Sequence, residues 1–242
     1  MPARRFFVTD VHREGERVAI DGSDAHKIVN VLRLRSGDEI EIVDSAGSLF
    51  TATLESDGAA VHAVLRELRA ALAPARLAID VAQGIPKGQK MDFVVEKLGE
   101  LGVRALLPLE SERSVARGVG SAKLERWRRL ARAASQQSGR GDVLAVQEPT
   151  TLQRLSASFG EYDVVLLPWE VAAPRPLRER LPALAAGARR VLVIVGPEGG
   201  FSHAEAEAAR AAGAHLISLG PRILRTETAA LAVVAILSYQ FA

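Results

Sequence analysis

The sequence has no cysteine among its 242 residues, which excludes disulfide bonds, thiolate metal sites and cysteine nucleophiles. Aromatic residues amount to only 5%, and no apolar run approaches the roughly 18 residues of a membrane-spanning helix. The first ten residues lack the long apolar stretch of a secretory signal. A composition of 48% apolar and 25% charged residues is typical of a soluble globular protein. We therefore expect a cytoplasmic protein with a substantial core, no metal site and no contact with a membrane.

The formal net charge is small, at +2, but the charges are unevenly distributed. Residues 84–140 carry 12 lysines and arginines against 6 aspartates and glutamates. A concentrated basic block indicates contact with a polyanion such as RNA. A solvated helical surface gives the same count, so the charge pattern alone leaves both interpretations open.

The first 70 residues are typical of a small β-rich domain. One helix is predicted after Ser23 or Asp24, either of which can cap it, with apolar residues at Ile28, Val31 and Leu32. Short apolar segments separated by turn residues predict the strands. Several short strands with one helix favour a small barrel. The strand segments are RRFFV, RVAID, DEIEIVD, LFTATLE and AVHAVLREL.

Beyond an alanine-rich, proline-containing stretch at residues 69–76, strand-like and helix-like segments alternate. This alternation predicts an α/β domain with a parallel sheet covered by helices on both faces. We place the domain boundary near residue 72, which divides the chain into residues 1–72 and 73–242.

A glycine-rich turn, GPEGGFSHAE (Gly196–Glu205), follows the apolar run VLVIV. It lacks the Lys-Ser/Thr pair of a phosphate-binding P-loop and the G-x-G-x-x-G spacing of a dinucleotide site. Adjacent glycines let a ligand approach the backbone closely, and Ser202 with Glu205 has the spacing of a capping box. An ordinary tight turn with helix capping is the alternative interpretation.

Two further loops rich in proline or glycine follow buried strands, at residues 166–170 and 219–226. Ligands of α/β sheets bind at the carboxyl ends of the strands. Together with the turn at 196–200, these loops predict one binding site for a flat heterocycle, recognised mainly by backbone groups.

GPEGGFSHAE followed by LGPRILRTETA resembles the C-terminal signature of the SPOUT methyltransferases, and more narrowly the RsmE family of 16S ribosomal RNA uracil-N3 methyltransferases. HKIVNVLRLRSGDEIEIVD, QGIPKGQKMDFVVEKLGELGV, ERSV and QQSGR extend the resemblance over nearly the whole chain. One departure is Gln136, where the family motif has glutamate, which puts any carboxylate role at that position in doubt.

The resemblance implies a PUA-like RNA-binding β-barrel over residues 1–72 and a SPOUT domain with a trefoil knot over residues 73–242. It also implies an S-adenosylmethionine cofactor, a homodimer, and methylation of N3 of a uridine in 16S rRNA or the small ribosomal subunit. The cofactor residues it implies are Pro168, Trp169, Glu170, Gly196, Pro197, Glu198, Gly199, Gly200, Leu219, Gly220, Ile223, Leu224, Arg225, Thr226 and Ala229.

The N3 proton of uracil must be lost, and a cation near O2 or O4 stabilises the resulting anion. Arg225 is the candidate for this catalytic role, with pairing to Glu198 or Glu227 as the alternative. Glu198 is either a base or an acceptor of backbone hydrogen bonds, and we favour the second. The expected RNA contacts, for each of which a solvated surface cation is the alternative, are Arg4, Arg5, His26, Arg33, Lys87, Lys90, Arg113 and Arg140.

Three other functions compete with this prediction: a transfer-RNA ribose methyltransferase, a non-catalytic RNA-binding protein, and a nucleotide-dependent dehydrogenase. The LGPRILRTETA segment favours the base-methylating branch, and the intact glycine loops argue against a protein that has lost activity. The missing G-x-G-x-x-G argues against a dehydrogenase.

Overall fold

The computed structural model describes residues 4–56, 60–71, 76–114, 118–169, 177–178, 181 and 187–241. The chain divides into two compact units. Unit 1 comprises Met1–Pro74 together with Ser135–Val143, and unit 2 comprises Ala75–Ala134 with Leu144–Ala242. The domain boundary placed near residue 72 from the change in sequence pattern stays a prediction.

Unit 1 contains a curled, mixed five-stranded sheet in the order β1-β3-β4-β5-β2. β1 pairs in parallel with β3, and the other neighbours are antiparallel. No pairing between β1 and β2 closes the sheet within the described residues, so it forms a half-barrel around its core. The strands are β1 (Arg5–Phe7), β2 (Arg17–Ala19), β3 (Glu39–Val43), β4 (Ser48–Ser56) and β5 (Val61–Ala71).

The helix of unit 1 differs from its prediction. It begins as α1 (Gly22–His26), after Asp21 rather than Ser23 or Asp24, and continues as a π-helix over Lys27–Val31. Ile28 is fully buried, as predicted, but Val31 is 64% and Leu32 38% exposed. The wider π-helical turn changes the angular spacing of the side chains, so the apolar pattern no longer faces the core.

Residues 135–143 join unit 1 through buried polar contacts. The Gln136 amide donates to the Asp24 carboxylate at 2.9 Å, and its oxygen accepts from Lys27 Nζ at 2.8 Å. Arg5 donates to the carbonyl oxygens of Gly139 and Arg140. These contacts explain why glutamine suits position 136, because a glutamate would place a second carboxylate against buried Asp24.

Unit 2 contains an entirely parallel seven-stranded sheet, as the alternation predicted, in the order β12-β10-β11-β6-β7-β8, with β9 also paired to β7. The strands are β6 (Ala78–Gly84), β7 (Ala105–Glu110), β8 (Ala145–Val146), β9 (Thr150–Thr151), β10 (Val164–Pro168), β11 (Arg190–Val195) and β12 (His215–Ile217).

Helices cover both faces of this sheet. Successive strand residues such as Leu192 and Val193 belong to separate apolar clusters, because successive side chains along a strand point to opposite faces of the sheet. The cluster containing Val193 includes side chains of α2 (Lys90–Glu100), α3 (Ser121–Gln137) and α6 (Thr226–Phe241). The other includes side chains of α4 (Leu152–Ser156) and α5 (His203–Ala211). In α3, Trp127 is fully buried.

Among the helices that the structure describes, none is both long and apolar enough to cross a membrane. The trefoil knot implied by the resemblance stays a prediction.

Candidate active site

A cavity of about 790 Å³ lies at the carboxyl edge of the unit 2 sheet. It is formed where β10, β11 and β12 end and where α6 begins. Its volume falls within the range of about 300–1,000 Å³ that is typical of small-molecule sites. The cavity is lined by Lys90, Pro168, Trp169, Val195, Gly196, Pro197, Glu198, Gly200, Phe201, Ile217, Ser218, Leu219, Gly220, Pro221, Arg222, Ile223, Leu224, Arg225, Thr226 and Ala229.

Glycines permit the close packing of backbone around this cavity. A Cβ atom on Gly84, the last residue of β6, would lie only 2.6 Å from the carbonyl carbon of Gly196. A Cβ on Gly196 would lie 3.2 Å from Gly200 Cα, and Gly200 itself has a positive φ of 65°. The turn therefore folds onto the end of β6 with backbone, rather than side chains, at the contact.

The turn is tied to α5 by the predicted capping box, which the structure confirms. Ser202 Oγ accepts from the Glu205 N–H at 3.1 Å, and the Glu205 carboxylate accepts from the Ser202 N–H at 2.9 Å. The same carboxylate also accepts the Glu112 N–H at 2.9 Å. These bonds satisfy orphan donors at the start of α5 and fix where the turn ends.

A chain of hydrogen bonds connects β6, the turn and α6. Gln83 Nε2 donates to Thr226 Oγ1 at 2.7 Å, and Thr226 Oγ1 donates to the Gly196 carbonyl oxygen. Thr226 is the first residue of α6, and its hydroxyl serves this chain instead of capping the helix. Because Gln83 and Thr226 are both buried, water does not compete for these bonds.

A lysine and two carboxylates lie at one wall of the cavity. Lys90 Nζ is 2.9 Å from Glu198 Oε1 and 3.9 Å from Glu227 Oε2. Glu198 also accepts the Lys87 N–H at 3.1 Å. Partial burial raises the pKa of Glu198, but its hydrogen bonds with Lys90 and backbone N–H groups outweigh burial and hold the pKa below its ordinary value. Glu198 is therefore an acceptor of hydrogen bonds, as favoured from the sequence, and a weak base.

Arg222 and Arg225 lie in the segment between β12 and α6, and both are exposed. Neither guanidinium has a hydrogen-bond or ion-pair partner among the residues that the structure describes, so the proposed pairing of Arg225 with Glu198 or Glu227 does not occur. Ile223, between them, is 84% exposed. The cavity mouth thus presents two free cations that can act on a bound substrate.

Three buried polar atoms at or beside the cavity have no hydrogen-bond partner among the described residues: Gln83 Oε1, Trp169 Nε1 and Glu227 Oε2. Of these residues, Trp169 lines the cavity itself. Buried polar groups are normally paired, so these three atoms are exceptions within the described part of the chain.

Thirteen of the fifteen predicted cofactor residues line the cavity. Glu170 lies outside the described residues. Gly199 is absent from the lining: its carbonyl oxygen accepts from Arg113 at 3.1 Å, and a Cβ there would lie 3.0 Å from Arg113 Cβ. Bulk at position 199 would therefore displace Arg113 rather than fill the cavity.

The predicted RNA contacts fall into two groups. Arg5 and Arg140 have side chains that are only 9% exposed and are paired with Glu41 and Asp142 respectively, which withdraws them from a phosphate-binding surface. Lys90 is occupied by Glu198. The others are exposed: Arg4, His26, Arg33, Lys87 and Arg113.

The predicted set of cofactor residues omitted several residues that line the cavity. One is Lys90, which was predicted as an RNA contact and carries charge beside Glu198. Another is Phe201, which contributes a buried apolar wall. Phe201 directly follows the glycine turn, so its position in the sequence could have predicted that it lines the cavity. Lys90 lies 108 residues from Glu198, and only the fold brings the two together. In the described part of the chain, no group of three or more His, Asp or Glu side chains is arranged to hold a metal ion.

This architecture, a parallel α/β unit whose glycine-rich strand-end loops enclose a cavity, defines a class of small-molecule-binding α/β enzymes. Residues 73–238 match the family model of the RNA methyltransferase domain, and residues 20–65 match that of the RNA methyltransferase PUA domain. The chain belongs to the RNA methyltransferase family, which confirms the resemblance seen in the sequence.

Curated relatives agree with this assignment. The chain is 30% identical to ribosomal RNA small subunit methyltransferase E of Bacillus subtilis, over 98% of this chain and 96% of the relative. It is 31% identical to the protein of the same name from Mycobacterium bovis, over 95% and 89% of the two chains.

Solved structures agree as well. Ribosomal RNA small subunit methyltransferase E of Neisseria gonorrhoeae, bound to S-adenosyl methionine, has a TM-score of 0.87 and 30% identity, covering 99% of this chain and 98% of that one. A Legionella pneumophila methyltransferase, solved with S-adenosyl methionine bound, has a TM-score of 0.89 and 26% identity over 99% and 98% of the chains.

Proposed function

We propose that this protein transfers a methyl group from S-adenosylmethionine to N3 of a uridine in 16S rRNA of the small ribosomal subunit. The observation that carries the proposal is the cavity at the carboxyl edge of the unit 2 sheet, in a chain that matches RNA methyltransferase models in both units. The relatives' names supply the small-subunit rRNA, and the RsmE resemblance supplies the uracil N3 position.

The residues present fit S-adenosylmethionine. The cofactor combines a flat adenosyl group with a sulfonium, an ammonium and a carboxylate. Apolar walls such as Phe201 and Ile217 suit the adenosyl group. The Glu198 carboxylate suits the sulfonium and the ammonium, and Arg222 and Arg225 suit the carboxylate of the cofactor.

When bound, the cofactor supplies an electrophilic methyl group on a sulfonium. The protein's own contribution is alignment and electrostatics. Methylation of uracil N3 would require that nitrogen to lose its proton to solvent, which leaves negative charge on the base for this chain's own residues to stabilise. Arg225, which is exposed at the cavity mouth and has no partner among the described residues, stabilises the negative charge that develops on O2 and O4. Glu198, with its lowered pKa, is disfavoured as the proton acceptor.

RNA contact by unit 1 is part of this proposal. Arg4 and Arg33 are exposed cations and His26 is an exposed imidazole; Arg33 has a positive φ of 53°, which is uncommon for a residue other than glycine. Exposed Val31 lies two residues before it. In unit 2, the exposed Lys87 and Arg113 flank the glycine turn. Such cations give RNA affinity that falls with salt.

We also propose the homodimer implied by the family. Phe93 of α2 and Ile236 and Tyr239 of α6 are 46%, 41% and 89% exposed, which is unusual for large apolar and aromatic side chains and favours a protein interface. Light scattering coupled to gel filtration tests this: a mass of one chain at micromolar concentration would contradict it. Because the proposed substrate is the ribosomal subunit, we expect the protein in the cytoplasm.

The deciding experiment incubates the protein with methyl-labelled S-adenosylmethionine and small ribosomal subunits that lack the modification, followed by nucleoside analysis. We expect the label on N3 of uridine. Label on a ribose oxygen would support a ribose methyltransferase, and no label with intact folding would support a non-catalytic RNA-binding protein.

Arg225→Met and Arg225→Lys sharpen the test. We expect Arg225→Met to lower kcat by about 100-fold, the usual scale for removing one charge-stabilising donor, and Arg225→Lys to restore part of it. Arg178, an exposed arginine of unit 2 outside the cavity lining, provides the matched control through Arg178→Met. An equal loss in both variants would contradict the catalytic role.

A further inference from the structure

The middle of the glycine turn contacts an arginine that does not line the cavity. The turn is a β-turn, closed by a hydrogen bond from the Gly200 N–H to the Pro197 carbonyl oxygen at 2.9 Å. Pro197, Glu198 and Gly200 line the cavity, whereas Gly199 does not. The Gly199 carbonyl oxygen instead accepts from Arg113 Nη1 at 3.1 Å. The turn therefore contacts the cavity through three of its residues and Arg113 through the fourth.

The short segment that carries Arg113 is itself fixed in place. It directly follows β7. The Ser111 N–H donates to Ser114 Oγ at 3.0 Å, the two hydroxyl oxygens are 3.1 Å apart, and both serines are buried. The Glu112 N–H donates to the Glu205 carboxylate of α5 at 2.9 Å. The backbone on either side of Arg113 is thus anchored, and the exposed guanidinium extends from a defined position.

The two adjacent glycines of the turn are needed for different reasons. Gly200 has a positive φ of 65°, a conformation that other residues rarely adopt. Gly199 has no positive φ, so its backbone conformation does not require glycine. A Cβ on Gly199 would instead lie 3.0 Å from Arg113 Cβ and 3.4 Å from the Arg113 carbonyl oxygen. Glycine at position 199 therefore allows Arg113 to approach the turn.

Other arginines of the basic block at residues 84–140 are paired differently. Arg126 lies 2.7 Å from the Asp92 carboxylate, and Arg128 lies 2.6 Å from the Glu125 carboxylate. Arg113 has no carboxylate partner within the described part of the chain, and its guanidinium donates to a neutral carbonyl oxygen. Hydrogen bonds from a charged donor are stronger than those between neutral groups, which suits this contact to holding a turn.

We propose that Arg113 is a positioning residue for the cofactor site, which holds the Gly199 carbonyl and so keeps the glycine turn in the conformation that binds S-adenosylmethionine. When a binding conformation is populated for only part of the time, the observed affinity falls by that fraction. The inference rests on the proposed function for the identity of the cofactor. It is separate from the RNA contact proposed for Arg113, because it concerns cofactor binding without RNA.

The first experiment measures binding of S-adenosylhomocysteine by calorimetry in the absence of RNA. Arg113→Met keeps the aliphatic stem and removes the donors, and we expect it to weaken binding by about fivefold, the scale of one exposed hydrogen bond. Arg129→Met is the matched control, because Arg129 is an exposed arginine of the same basic block outside the cavity lining. Its affinity should stay within about twofold of wild type, with melting curves confirming that both variants are folded.

The second experiment combines Arg113→Met with Gly199→Ala. The alanine Cβ displaces Arg113, so Gly199→Ala alone should weaken binding by about fivefold as well. In that background Arg113→Met should cost no more than about a further twofold, because the bond is already lost. A general loss of stability, or a long-range effect of the missing charge, would persist in the Gly199→Ala background, and the two losses would then multiply.

The third experiment follows amide hydrogen exchange by NMR in the protein without ligand. The Gly200 N–H closes the turn on the Pro197 carbonyl, so its exchange reports how often the turn opens. We expect several-fold faster exchange of this amide in Arg113→Met, with unchanged exchange of the amides within α2. This measurement needs neither a ligand nor Gly199→Ala.

The outcomes separate the inference from the proposed function. If the folded wild-type protein binds neither S-adenosylmethionine nor S-adenosylhomocysteine, the proposed function is overturned, and the cofactor role of Arg113 falls with it. If wild type binds them and Arg113→Met binds equally well, only the role of Arg113 is overturned. The same holds if the losses of the two substitutions multiply, or if the exchange of the Gly200 amide is unchanged.

Discussion

The strand β6 carries one buried polar residue near each end, and the two are satisfied in different ways. At the amino edge of the sheet, Asp80 contacts Arg104, accepts from Tyr162 Oη at 2.9 Å, and lies 3.8 Å from Arg190. Arg190 also lies over the Tyr162 ring, 4.8 Å from its centroid. Long side chains, ion pairs and a cation–π contact close this edge.

At the carboxyl edge of the same strand, Gln83 bonds only to short groups. Its Nε2 donates to Thr226 Oγ1 and to the Gly84 carbonyl, while its Oε1, like Asp80 Oδ1 at the other edge, has no hydrogen-bond partner among the described residues. Glycine and threonine around it leave space where the other edge has arginine and tyrosine. One strand thus serves stability at one end and ligand binding at the other. Substitutions at the two ends should therefore separate the two properties.

Gly84→Ala should have the largest effect, on both properties. The new Cβ would meet the backbone of Gly196 and Pro197, which cannot rotate away as a side chain can. We expect a destabilisation of about 3 kcal/mol and loss of cofactor binding, measured by thermal melting and calorimetry. Gly160→Ala is the control, because nothing lies within 4 Å of a Cβ there. Near-wild-type binding in Gly84→Ala would contradict the role of this close approach.

Thr226→Val should come next. It removes the hydroxyl that accepts from Gln83 and donates to Gly196, and it leaves buried polar groups unpaired. We expect a loss of about 2 kcal/mol in stability together with weaker cofactor binding. Thr226→Ser keeps the hydroxyl and should recover most of both. If Thr226→Ser loses as much stability and cofactor affinity as Thr226→Val, the chain of hydrogen bonds does not hold the loops.

Asp80→Asn tests the amino edge. It removes the charge that Arg104 and Arg190 face, but Arg104 is 45% exposed, so water replaces part of the interaction. We expect a destabilisation of about 1–2 kcal/mol with unchanged affinity for S-adenosylhomocysteine. A change in affinity larger than about threefold would show that the two edges of the sheet are coupled and do not serve separate properties.

Alkaline pH should produce the smallest effect, again at the amino edge only. Burial, with the neighbouring Asp80, raises the pKa of Tyr162 to about 12 from its ordinary value of 10.0. The stabilisation is complete below pH 10 and is lost as the pH rises toward 12, because the unfolded chain releases the proton first. We expect the free energy of unfolding, obtained from melting curves between pH 8 and 11, to fall more steeply for wild type than for Tyr162→Phe. The difference between the two should be at most about 1 kcal/mol. Parallel curves would exclude the titration of Tyr162.

Local patterns in the sequence predicted much of the architecture. The apolar runs predicted the parallel strands of unit 2, and the Ser202–Glu205 spacing predicted a capping box that is present. The three strand-end loops were predicted to lie together, because parallel strands share a carboxyl edge. Each of these features depends on residues close together in sequence or on a general rule of sheet topology.

Other features could not be predicted from the sequence. The π-helix over Lys27–Val31 exposes apolar residues that an α-helical period would bury. Arg5 is an exposed terminal cation in the sequence pattern, yet it is buried against Gly139 and Arg140, more than 130 residues away. Nothing in the spacing of the chain encodes such pairs, since they depend on which surfaces meet after folding.

By itself, the sequence determined the family, the order of strands and helices along the chain, and the loops that approach the ligand, because periodicity, capping and glycine act over a few residues. The tertiary structure alone decided that Lys90 faces Glu198, that Gly84 must lack a side chain, and that the buried Trp169 N–H has no partner among the described residues. Those properties arise from distances between segments that are far apart in the chain, and packing fixes such distances only when the whole sheet has formed.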